Sequence, residues 1–137
     1  MLTTFLYLEV NLIGLIIAAI MLGNQHKAAG LSADQKVFNM IIIALMFVLV
    51  FDSGMWLLDG RQFLYAIELN YFVSTVYYLL NIIIPFMWIW YTMVYFDKDA
   101  EFFGKYRLPA LAPLVVGIVI GFLNLANDWV FSIDENN

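Results

Sequence analysis

The sequence predicts an all-α integral membrane protein built from four antiparallel transmembrane helices. Three observations carry that prediction. The chain has 137 residues, of which 64% are hydrophobic and only 12% charged, whereas a soluble domain is about 45–50% apolar and about 25% charged. Four runs reach the roughly 20 mostly apolar residues that a helix needs to cross a bilayer. The segments between those runs are short, so neighbouring helices must reverse direction. The whole of 1–137 reads as one transmembrane helical domain, with no internal repeat, low-complexity tract or soluble domain.

The first span covers about residues 4–22 and stops at Gly23 and Asn24, residues suited to ending a helix. It does not read as a cleaved signal peptide, because no basic segment precedes it and its apolar run is too long. The second span covers about 37–58 and ends at Gly60. Its helix starts earlier, since Ser32 and Gln35 have the spacing of a capping box. The third, about 71–95, is interrupted by Asn81 and Pro85. Proline removes the donor for the carbonyl of Asn81 and predicts a kink there, read as a hinge or as a packing kink with Asn81 as interhelical glue. The fourth, about 108–127, places Pro109 in a first helical turn.

Basic residues set the orientation. Lys27 and Lys36 lie in the first connection, Lys98, Lys105 and Arg107 in the third, and only Arg61 in the second. The first and third connections are therefore expected in the cytoplasm, with both termini outside. Glu9, Asp52, Asp59, Glu68, Asp128, Asp134 and Glu135 then fall on the outer side against Arg61 alone. The net charge of −5 becomes an outward-facing property that would attract cations or cationic ligands.

The candidate site follows from the polar residues inside the apolar runs. Asp52 lies about 9 Å below the outer end of its span and Glu9 about 7–8 Å below the start of the first. Asn11 is two residues deeper. Asp52, Trp56 and Asp59 have i, i+4, i+7 spacing and share one helix face. That face should point into the bundle, because a charge facing lipid costs roughly 2.5–3.5 kcal/mol or more. Glu9, Asn11, Asp52, Trp56 and Asp59 thus form a candidate ligand or proton site. An equally physical reading is interhelical bonding, with Asp52 held by Ser53, a Tyr or an Asn on a neighbour. Trp88, Trp90, Tyr91 and Tyr95 read as an interfacial aromatic belt. Gly117 and Gly121 form a GxxxG that permits close helix approach. His26 reads as a solvated loop residue.

Several chemistries are excluded. There is no cysteine, hence no disulfide or thiolate site. No Walker loop, GxGxxG, HExxH or GxSxG occurs. No Lys or Arg lies within a span, so a Schiff-base lysine and a voltage-sensing row are both absent. No catalytic residue, metal site or cofactor is expected, and acidity argues against nucleic acid as a partner.

"LYLEVNLIGLIIAAIML", "FDSGMWLLDG", "LNYFVSTVYYLLNIIIPFMWIWYTMVYFD" and "VFSIDENN" together resemble the N-terminal membrane region of bacterial GGDEF-type diguanylate cyclases. The resemblance covers nearly all of this chain but only the front part of such a protein. It implies the front of a seven-helix region in the bacterial cytoplasmic membrane. A cytoplasmic domain that joins two GTP into cyclic di-GMP would follow. The GGDEF motif is absent here, so the segment itself should be catalytically silent and act as a sensor. Expected partners are the bilayer, the remaining helices and output domain, and a second copy if the protein is a homodimer. Similar seven-span regions precede histidine kinases. Two other readings stand beside this one. Four spans with a carboxylate in the first are similar to small multidrug resistance transporters, where such a Glu exchanges protons for cationic drugs. A structural subunit without a ligand is the third.

Overall fold

A computed structural model describes residues 2–25, 30–61, 63–96, 100–127 and 133. They form four helices, α1 (Leu2–Gln25), α2 (Ala33–Leu58), α3 (Ala66–Phe96) and α4 (Ala100–Asn127), with no strand among the described residues. His26, Lys27, Asp97, Lys98, Asp99, Asp128, Asp134 and Glu135 lie outside the described residues, as do the side chains of Lys105 and Arg107. α1, α2 and α3 are long and apolar enough to cross a membrane. In α4 the described side chains include the apolar stretch Leu111–Asn124.

Local chemistry sets the ends. α2 begins after Ser32, whose N–H donates to Gln35 Oε1 at 3.0 Å while its carbonyl accepts from Lys36 N–H at 3.0 Å. This supplies the Gln35 limb of the capping box. At the other end the Asp59 N–H donates to the Met55 carbonyl at 2.9 Å, and Gly60 turns the chain with φ +71°. That left-handed conformation is open to glycine without steric cost. Tyr65 also sits at positive φ, +70°, one residue before α3. α4 starts eight residues before the expected boundary, because "AEFFGKYR" continues the helix towards the third connection. Pro109 therefore lies inside α4 rather than in its first turn. α3 is likewise a continuous helix through Pro85.

Each helix packs on its neighbour in sequence, and among the described residues no contact joins α1 to α3 or α4. The helices therefore form an open row rather than a closed ring. Partner order is regular. Tyr7, Asn11 and Gly14 of α1 meet Trp56, Asp52 and Leu49 of α2 in turn. Tyr71, Tyr78 and Ile82 of α3 meet Asn124, Gly121 and Gly117 of α4. Glycine permits both approaches. A Cβ on Gly117 would stand 2.8 Å from Ile82 Cγ2, and one on Gly121 2.9 Å from Tyr78 Cε1. The GxxxG thus packs α4 against α3.

An apolar core occupies the Lys36 end of α2 and α3. Val37, Ile41 and Met87 are buried there, and Ala44, Ile83, Trp90, Tyr91 and Val94 pack against them. The aromatic belt is split by helix geometry. Trp90 and Tyr91 turn inward onto this core, while Trp88 and Tyr95 stay exposed. Phe38 bridges the helices, with ring centroids 6.3 Å from Trp88 and 5.7 Å from Tyr91. Elsewhere the surface is largely apolar. Leu6, Val10, Ile13 and Ile17 of α1 and Val115, Val119 and Phe122 of α4 are all exposed.

Candidate functional site

The polar chemistry gathers at the opposite end, near Asp59. Asn11 is 6% exposed and is aimed at α2. Its Nδ2 donates to Asp52 Oδ2 at 2.7 Å and to Ser53 Oγ at 3.1 Å. Both donors of one amide are therefore spent on two consecutive residues of the next helix. Ser53 passes its own O–H to the Leu49 carbonyl at 2.8 Å. The bond to Asp52 lies at the short end of the range for an N–H···O hydrogen bond. Asp52 thus has a polar partner on another helix.

One turn beyond this pair, the Tyr7 and Trp56 rings stack, with centroids 4.2 Å apart and planes within 10°. They follow from the same spacing: Tyr7 and Asn11 are i, i+4 on α1, as Asp52 and Trp56 are on α2. Gly14 completes the face, since a Cβ there would stand 2.9 Å from Leu49 Cδ1.

Two candidate residues are not part of this arrangement. Glu9 is exposed, and none of the described hydrogen bonds involves it. It lies at the right depth but two positions from Asn11, about 200° around a helix of 3.6 residues per turn. Turning Asn11 towards α2 turns Glu9 away, so the two acids do not meet. Asp59 shares the Asp52–Trp56 side of α2 but stands beyond the last turn, exposed, as the C-terminal cap.

The polar layer extends further than the sequence reading placed it. Asn70 and Ser74 are buried in α3, one turn apart, and Ser74 Oγ donates to Asn70 Oδ1 at 3.5 Å. Asn124 of α4 is fully buried. Its carbonyl accepts from the Tyr71 hydroxyl at 2.8 Å, and its Nδ2 donates back to that oxygen at 3.4 Å. A signal for Asn124 was present. Gly117, Gly121 and Asn124 share one face by i, i+4, i+7 spacing, and Asn124 is the one polar residue inside Leu111–Leu125.

Among the described residues Asn81 has no hydrogen bond to another helix. It is exposed, and its Nδ2 donates locally to the Tyr77 carbonyl at 2.8 Å. Among the described residues no group of three His, Cys, Asp or Glu side chains converges on a point that could hold a metal ion. Comparison with protein-family models, with curated proteins and with solved structures gave no match.

Proposed function

We propose that the chain is a membrane-embedded input module of four antiparallel spans with both termini outside. In the full-length protein it would detect an extracytoplasmic or membrane signal and control a cytoplasmic diguanylate cyclase. The observation that carries the reading is the pairing of buried Asn11 with half-buried Asp52, flanked by the stacked Tyr7 and Trp56 rings. The bias of basic residues assigns that end to the outer side. An intramembrane carboxylate there is a functional candidate by default. It ties α1 to α2 through polar groups whose balance a proton or a polar ligand would change. The output type rests on the resemblance to cyclase membrane regions. The transporter reading loses support, because Glu9 is exposed and stands apart from the polar layer.

Cyclic di-GMP measured in cells making the full-length protein tests the proposal. Asn11→Leu and Asp52→Asn are expected to shift its level severalfold, while Ile17→Ala on the exposed face of α1 leaves it unchanged. Equal cyclic di-GMP in all four proteins, at matched amounts in the membrane, would overturn the reading.

A further inference from the structure

Asn81 stands in the middle of α3, about 16 Å from the expected start of the third span and so near the midplane of a bilayer. It is exposed there. One of its amide hydrogens is bonded to the Tyr77 carbonyl. The second hydrogen and Oδ1 have no partner among the described residues. Its backbone carbonyl also lacks the usual helical donor, because position 85 is proline and has no N–H. One exposed point of α3 thus offers a free donor and a free acceptor, Oδ1, beside a carbonyl that has lost its i+4 donor. Hydrocarbon offers no partner for an unmet polar group, so this point is poorly suited to face lipid.

Asn81 does not stand alone. Pro85, Trp88 and Thr92 follow it at i+4, i+7 and i+11 on the same face, and all three are exposed. Phe38 of α2 reaches the edge of the stripe at Trp88, with ring centroids 6.3 Å apart, yet all four residues of the stripe keep an exposed surface.

We propose that the stripe is the interface with a second copy of this chain, α3 against α3 about a twofold axis, with the two Asn81 amides bonded to each other across it. The choice of occupant follows from the chemistry of the amide. A twofold interface brings the same residue from both sides, so each group must be its own complement. A carboxylate or an ammonium fails that condition, whereas an amide with one free donor and a free acceptor meets it. Each Asn81 N–H would be received by the partner's Asn81 at Oδ1. Trp88 and Thr92 would then continue the contact towards the Lys36 end.

The absence of cysteine makes the test direct. Single Trp88→Cys and Thr92→Cys chains are oxidised in membranes and scored for disulfide-linked dimer, beside Ile17→Cys on α1 and Val116→Cys on α4, both exposed. Cross-linking at residues 88 and 92 should exceed the two controls. Asn81→Leu in the Thr92→Cys background should reduce it roughly tenfold and Asn81→Gln should retain most of it, as for a polar contact between membrane helices. Equal cross-linking at all four positions, or none lost with Asn81→Leu, would overturn the proposal. It would point instead to lipid, water or a different helix on this face. The inference rests on the chain spanning a membrane, and extraction separates the two. A protein that leaves the membrane fraction at alkaline pH without detergent would refute the spanning reading itself.

Discussion

Asn11 and Asp52 meet side chain to side chain at 2.7 Å, although 41 positions separate them. The amide belongs to one apolar helix and the carboxylate to the next, and the same amide also donates to Ser53 Oγ beside it. Charge, depth and helical phase must all agree for the Asn11–Asp52 bond to form. A double-mutant cycle with Asn11→Ala and Asp52→Ala is expected to give a coupling of about 0.5–2 kcal/mol in detergent unfolding. Additive single effects would show that the two residues do not interact.

The stacked pair one turn further out should control access to that bond. Tyr7 and Trp56 lie about 5.4 Å along the helices from Asn11 and Asp52, one turn. A Ser53→Cys chain should react slowly with a small thiol reagent. Adding Tyr7→Ala should speed the reaction severalfold, and an unchanged rate would mean that the rings do not cover the site.

Gly117 and Gly121 should tolerate no side chain of any size. With Ile82 and Tyr78 closer to an added Cβ than van der Waals contact allows, Gly117→Leu and Gly121→Leu should each destabilise the protein by about 1–3 kcal/mol through overpacking. Gly23 has nothing within 4 Å of such a Cβ. Gly23→Ala should therefore stay within about 0.5 kcal/mol of the parent chain. Thermal unfolding in one detergent would compare the three.

Tyr65 holds a left-handed conformation that costs an L-residue roughly 1–2 kcal/mol. Its side chain is 67% exposed, so little packing is lost with it. Tyr65→Gly should raise the unfolding temperature, whereas Tyr65→Ala, which keeps the Cβ and the strain, should not. Equal effects of the two would place the cost elsewhere.

Hydropathy and the punctuation of Gly60 and Ser32 made the number of helices legible in the sequence. So was the need for Asp52 to find a polar partner on a neighbour, because burying a carboxylate alone is prohibitive. Helical phase was the weak point. Glu9 and Asn11 have nearly the same depth, yet they face opposite ways. Depth alone grouped them, and the choice between them depended on which face of α1 meets Leu49. Asn70 and Ser74 were hidden for a related reason. They lie near the start of α3, where polar residues are common on any surface, and only tertiary packing shows that they are buried. The early start of α4 escaped because "AEFFGKYR" is too charged to read as part of a span, although nothing in it stops a helix.

The central claim is that the Asn11–Asp52 end of the bundle faces outward, where a signal could reach it. Cysteine labelling in intact cells tests this directly, since the chain has no cysteine of its own. Leu64→Cys lies in the α2–α3 connection and Ala33→Cys in the first turn of α2, both at exposed positions. With a membrane-impermeant maleimide, Leu64→Cys should be labelled in intact cells and Ala33→Cys only after the membrane is opened. The reverse pattern would place the polar layer on the cytoplasmic side and contradict the account.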